Sequence, residues 1–172
     1  MPEIAEISAR PGTYFLLLSS STEAMIRVGQ LGSLRLQPGF YVYVGSALGP
    51  GGVRARLAHH LRLAEHPRWH IDYLRSHMTP KEVWFCYDRK SLEHGWAHCF
   101  ATMRGVSAPM AGFGSSDCDC KSHLFFFKKC PARANFARRL VSSSRMVTRL
   151  LVTRLLVTRL LVKSIPHPAD FG

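Results

Sequence analysis

Residues 39–52 read GFYVYVGSALGPGG, half strand and half loop. Phe40, Val42 and Val44 alternate with Tyr41 and Tyr43, so the two sets face opposite sides of a strand. Four glycines then fall within eight residues, from Gly45 to Gly52. A two-faced strand aimed at such a loop needs a partner strand, and "TYFLLL" after Gly12 supplies a compact apolar run suited to a buried one. "EAMIRVG" reads as a second strand. "GQLGSLRLQPG" is turn-rich, and Pro38-Gly39 breaks it before the tyrosine strand.

After Gly52 the period becomes helical, to about His66. With Val53 at 0° and about 100° per residue, Leu57, Leu61 and Ala64 fall on one apolar stripe. Arg56 and His60, four apart at about 300° and 340°, stand one above the other at its edge, whereas Arg54 and Arg62 face solvent. "RWHIDYLR" predicts a short helix and "EVWFCYD" a strand. "SLEHGWAHCFATM" predicts a helix with Ser91 as N-cap and Leu92, Trp96, Cys99, Phe100 and Met103 buried. "GFGSSDCDCK" is loop and "SHLFFFK" a final strand. The mixture defines a small α/β or α+β domain over residues 1–136, with a central, mainly antiparallel sheet flanked by helices.

Residues 137–172 differ. "VTRLL" occurs three times in succession, at 147–151, 152–156 and 157–161. A five-residue period spreads its arginines around a helix and alternates faces on a strand, so neither form gains a clean apolar side. An arginine in every repeat also argues against a membrane span, at roughly 2.5–3.5 kcal/mol each near the bilayer centre. The segment reads as a low-complexity, basic tail.

The chain has 172 residues and a formal net charge of +12, divided evenly between residues 1–136 and the much shorter tail. Such a balance favours a polyanionic partner, nucleic acid before a membrane surface. The N-terminus lacks the apolar run of a secretory signal. Five cysteines, an odd number without framework spacing, read as reduced thiols of a cytoplasmic protein. The glycine-rich loop fits neither G-x-x-x-x-G-K-[ST] nor G-x-G-x-x-G, so it reads as a strand-to-helix connector rather than a nucleotide cradle.

Gly12-Thr13-Tyr14 opening one strand, Tyr43-Val44-Gly45 ending another, and Arg56-Leu57 with His60 on the next helix resemble the GIY-YIG nuclease pattern. "GFYVYVGSA", "RWHIDYL" and "GFGSSDCDCKSHLFFF" further resemble an uncharacterised branch of that superfamily. The likeness spans residues 10–127 and leaves the tail outside. It implies metal-assisted hydrolysis of phosphodiester bonds in DNA, with Mg²⁺ or Mn²⁺ as cofactor. Tyr14 and Tyr43 would line the site and help activate water. Arg56 would hold the phosphate, His60 would support it, and Glu93 would bind the metal.

Elementary chemistry suits these roles. A guanidinium matches the charge that builds on a phosphodiester in its transition state. Mg²⁺ takes oxygen ligands and keeps water, so one carboxylate can hold it. An unperturbed tyrosine is ionised only about once in a thousand at pH 7, so a tyrosine base needs a nearby cation. The assignment requires Tyr14, Tyr43, Arg56 and Glu93 to converge on one concave surface. Arg54, Arg62, Ser46, Ser115 and Ser116 are candidate contacts to nucleic acid.

Three departures stand out. Thr13 replaces the usual isoleucine. Twenty-eight residues separate Tyr14 from Tyr43, which points to an inserted hairpin. The resemblance implies a late asparagine, as in many active members, but Asn135 is the only asparagine and lies beyond the matched region, which favours the alternative of a non-catalytic or partner-dependent binding module. Two clusters stay open. His70 and Asp72 near Tyr73 read either as a base with its orienter or as a run packing Trp69, Ile71 and Leu74. Cys118, Cys120 and His123 hold metal-binding atoms, but C-x-C is not the C-x₂-C spacing of structural zinc.

Overall fold

A computed structural model describes residues 7–143; the VTRLL repeats lie outside the described residues. The elements run β1 (Gly12–Ser20), β2 (Ala24–Val28), β3 (Gly32–Leu36), β4 (Gly39–Ala47), α1 (Gly52–Leu61), α2 (Asp72–Arg75) and β5 (Thr79–Tyr87). There follow α3 (Glu93–Ala101), β6 (Val106–Ser107), β7 (Leu124–Phe127) and α4 (Arg133–Ser143). Five strands form one antiparallel sheet in the order β5-β1-β4-β7-β6, and β2-β3 form a separate hairpin. The protein is an α+β fold.

The apolar run of β1 takes an inner place in the sheet because it can be covered on both faces. It pairs along its whole length with β4, from Gly12↔Ala47 to Ser20↔Gly39, and on its other edge with β5. Its even residues Tyr14, Leu16 and Leu18 join Tyr41 and Tyr43 of β4 under α1, α2 and the hairpin. The odd residues Phe15 and Leu17 join Val42 and Val44 under α3 and α4. The alternation read in residues 40–44 therefore separates two apolar cores on opposite sides of one sheet. Phe15 anchors the second core, ringed by Trp84, Trp96, Phe100 and Phe136.

The long gap between the tyrosines is filled by the β2-β3 hairpin. Its second strand arises in the stretch read as turns: Leu34 and Leu36 point inward while Ser33 and Arg35 face out, a period-two pattern too short to stand out among glycines. Helix α1 stops at Leu61, five residues before the expected end, because Arg62 turns extended (φ −89°, ψ 155°), leaving Ala64 beyond the helix. The connector glycines are conformational. Gly51 and Gly52 have φ of +80° and +53°, and a side chain on Gly52 would meet the Arg10 carbonyl at 2.2 Å.

Helix α3 begins at Glu93, with Leu92 rather than Ser91 at its cap. The Ser91 hydroxyl still accepts from the Glu93 amide at 3.2 Å. The Leu92 amide donates to the hydroxyl of fully buried Thr13, 2.9 Å away. Thr13 thus fixes the start of α3, and Glu93 with it, to the edge of β1. Thr13→Val, which keeps the shape and deletes the acceptor, is expected to cost about 1 kcal/mol in a thermal or urea melt.

Helix α4 carries the packed domain past residue 136: Phe136 and Leu140 are buried against the Phe15 core. The basic composition of this stretch masks two apolar residues one helical turn apart. Among the described residues no helix is long and apolar enough to cross a membrane.

Candidate functional site

The β1-β4 register sets Tyr14 opposite Gly45. A side chain at Gly45 would begin 2.3 Å from the Tyr14 hydroxyl, so this glycine is the space in which the tyrosine ring lies. Tyr43 comes from the same strand two residues earlier, and its ring meets Tyr14 edge-on at 6.5 Å. Gly45→Ala is expected to push the Tyr14 ring aside and destabilise the domain by about 2 kcal/mol, checked by melts and by loss of the Tyr14–His60 contact in the ¹⁵N spectrum of the imidazole.

Burial raises the Tyr14 phenol well above its ordinary pKa, and nearby Tyr43 raises it further, while Arg56 opposes them. Burial also raises Tyr43, reinforced by the Glu93 charge and countered by Arg56. Both are therefore neutral phenols at neutral pH.

Behind Tyr14 lies a buried relay. The Tyr14 hydroxyl is 2.8 Å from His60 Nε2, and His60 Nδ1 is 3.4 Å from Asp72 Oδ1. Burial lowers the His60 pKa to about 4 despite the hydrogen bond His60 makes to Asp72, so the ring is neutral. Asp72 can only accept, so Nδ1 carries the proton and Nε2 accepts from Tyr14. The Tyr14 oxygen then keeps its lone pairs as acceptors, beside Tyr43 on the cleft wall. Burial alone would raise the Asp72 carboxyl; hydrogen bonds from His60, His59 and the Trp69 and Arg68 amides outweigh it and hold it below the usual range. Three of those donors lie 2.9–3.0 Å from Oδ2. Arg75, buried, donates to the His60 carbonyl at 2.6 Å and caps the end of α1 that presents His60.

A cleft of about 330 Å³ opens in front of the tyrosines. Its walls bring together Tyr14, Tyr43, Ser46, Arg56 and Glu93 with Ser116 of the loop before β7. They also include Arg68, Trp69, His70 and Asp117. The Arg56 guanidinium stacks on Trp69, 4.2 Å from the ring centre, and Arg68 approaches the same ring at 5.1 Å. Two cations thus share one aromatic platform at the mouth. Glu93 stands opposite in the first turn of α3, where the helix dipole favours a carboxylate. Its Oε1 is 3.2 Å from Nδ1 of buried His123, off the line of a hydrogen bond, which leaves Nδ1 without an aligned partner. Glu93 and Asp117, with the phenol and serine hydroxyls, form an oxygen-rich donor set that fits a hard divalent cation such as Mg²⁺ or Mn²⁺.

The four residues required to converge do so. His60 is not at the edge of the core as its helical position suggests: it is fully buried behind the cleft wall, hydrogen-bonded to Tyr14 and edge-on to Tyr43 and Trp69. Ser115 is not on the cleft wall; it is buried and its hydroxyl has no hydrogen-bond partner among the described residues. Arg54 and Arg62 are exposed, outside the cleft lining. Asp72 pairs with His59 and His60 rather than His70, while Ile71 and Leu74 are fully buried. His70 instead accepts from the Gly114 amide at 2.9 Å and holds the Ser116 loop in place. Asn135 is exposed on α4 and outside the cleft. Arg68, Asp117 and the role of Asp72 escape the sequence, although the adjacent His59-His60 pair with an acidic residue a short loop away was a usable signal.

Fold and site define a compact α+β domain with a basic, aromatic and acidic cleft backed by a buried tyrosine–histidine–aspartate chain. The chain belongs to the family of the domain of unknown function DUF123, whose family model matches residues 13–146. No curated protein and no solved structure matches the chain.

Proposed function

We propose that the domain is a GIY-YIG-like hydrolase that cleaves phosphodiester bonds in nucleic acid, DNA in the first instance, with a divalent metal. The observation that carries this reading is the convergence of Tyr14, Tyr43, Arg56 and Glu93 on one cleft, with the Tyr14 proton directed away from it toward His60. Arg56, steadied on Trp69, suits a phosphate oxygen. Tyr14 offers a hydrogen-bond acceptor that can orient an attacking water, and the Arg56 charge favours its ionised form. The bound divalent ion would supply charge neutralisation at the phosphate, with Glu93 as its protein ligand.

A second reading keeps the cleft as a binding site without efficient cleavage. It is favoured by the place of Asn135 outside the cleft and by the burial that keeps both tyrosines protonated. A nicking assay separates the two. Full-length protein is incubated with plasmid, branched and single-stranded DNA in Mg²⁺ or Mn²⁺, beside Arg56→Ala, Glu93→Gln and Tyr14→Phe. Cleavage by the wild type that is lost in all three supports the hydrolase. Equal background cutting by all four proteins, with binding that weakens steeply as salt rises, supports the module.

A further inference from the structure

The DCDC turn folds back beside α3 and adds a ligand that the sequence spacing conceals. His94 Nδ1 is 3.2 Å from Cys120 Sγ, and Cys118 Sγ is 3.5 Å from His123 Nε2. One ligand atom from each of His94, Cys118, Cys120 and His123 lies within 4.8 Å of every other. A tetrahedral zinc with Zn–S of about 2.3 Å and Zn–N of about 2.0–2.1 Å sets sulfur and nitrogen about 3.6 Å apart. The Cys118–His123 contact of 3.5 Å matches that figure and the His94–Cys120 contact of 3.2 Å is somewhat shorter, so a small outward shift of one side chain admits the ion. We propose that these four side chains form a structural Zn²⁺ site, independent of the hydrolase reading.

The chemistry selects zinc. Two thiolates and two imidazoles are the S₂N₂ set that prefers Zn²⁺ over hard cations, and two thiolates balance its charge. Four protein ligands leave no open coordination position, which marks a structural rather than a catalytic metal. The ligands come from rigid neighbours. His94 is in the first turn of α3, and His123 is fixed by the bonds His123 N→Phe113 O (2.7 Å) and Val44 N→His123 O (3.0 Å). The thiols and His94 open onto a separate cleft of about 1060 Å³, through which an ion can enter.

The site also has its outer partner. With Nε2 on the metal, His123 would carry its proton on Nδ1, 3.2 Å from Glu93 Oε1, and a small turn of the carboxylate would align the pair. This carboxylate–histidine–metal order fixes imidazole orientation in metal sites. Once aligned, it would satisfy the ring nitrogen of His123 that has no hydrogen-bond partner among the described residues. The ion would tie the loop bearing Ser116 and Asp117 to the helix bearing Glu93, and so hold two walls of the tyrosine cleft together.

The test is metal analysis of the full-length protein purified under reducing conditions. About one equivalent of zinc per chain is expected, falling at least tenfold in the Cys118→Ser/Cys120→Ser double variant. Stripped wild-type protein titrated with Co²⁺ should show the visible bands of a tetrahedral ion and a thiolate-to-cobalt charge-transfer band. The Co²⁺ spectrum needs no variant, so a variant that fails to fold does not blunt the test. Wild-type protein that carries no zinc and gives no charge-transfer band overturns the proposal, as does a folded double variant that keeps its zinc. Because none of these readouts is DNA cleavage, failure of the hydrolase reading leaves the zinc result intact, and the reverse.

Discussion

Arg56→Ala is expected to slow single-turnover cleavage of DNA by about 10²–10³-fold while leaving the fold in place. The proposed reaction places new negative charge on the phosphate, and Arg56 is the cleft cation whose guanidinium is fixed by stacking on Trp69 at 4.2 Å. A preoriented fork spends little reorganisation when the charge develops, which is why the loss should fall on the rate more than on binding. Arg68 reaches the same ring and can retain much of the ground-state attraction for a polyanion. Arg56→Lys tests the geometry: it keeps the charge but gives up the planar stack, so it should recover only part of the rate. The stability change in Arg56→Ala should stay near or below about 1 kcal/mol, the scale of one partly exposed cation–π contact. Unchanged single-turnover rates in Arg56→Ala, on a substrate that the wild type cleaves, would remove the phosphate role from this residue.

The second large effect is a loss of stability in weak acid, about 3 kcal/mol between pH 6.5 and 4 from His60 alone. In the unfolded chain the imidazole takes up its proton near pH 6.5, but in the folded chain burial delays this to about pH 4. Between those values the unfolded state binds more protons, so the free energy of unfolding falls as pH falls. Above about pH 6.5 the ring is neutral in both states and makes no further contribution. Asp72 acts in the same direction at lower pH: its folded pKa is depressed, so its stabilisation is present above the ordinary carboxylate value and lost below it. Urea unfolding at a series of pH values should show the slope, and His60→Asn should flatten it between pH 6.5 and 4. Equal slopes in the two proteins would mean that His60 is not the buried neutral group the geometry describes.

The two effects bear on different parts of one device. Arg56 acts at the mouth of the cleft, where solvent and a polyanion can reach it. His60 acts from inside the core, where its neutral state depends on being shut away from water. A side chain that is costly to protonate is well suited to accept the Tyr14 hydroxyl proton as a hydrogen bond and so leave the phenol oxygen as an acceptor.

Periodicity and local chemistry made much of this protein legible before any tertiary contact was known. The alternation in residues 40–44 correctly divides Tyr41 and Tyr43 from Phe40, Val42 and Val44, because a strand has no other way to arrange neighbours. Val53, Leu57 and Leu61 form the buried stripe of α1 for the same reason, whereas Tyr14, Tyr43, Arg56 and Glu93 are picked out by the resemblance to the GIY-YIG pattern, not by periodicity. Short elements were hidden where composition gives a mixed signal: β3 among turn residues, and α4 within a basic stretch in which Phe136 and Leu140 are buried. What the tertiary structure alone decided is which distant side chains meet. Gly45 is a void for the Tyr14 ring because of a strand register. Asp72 bonds to His59 and His60 rather than its neighbour His70 because the chain returns the start of α2 to the last turn of α1. His94 joins Cys118, Cys120 and His123 because a loop returns to the start of α3. Spacing along the chain carries the period of a helix or a strand, whereas long-range pairing depends on how the sheet and its two helical layers close, and no local pattern encodes that.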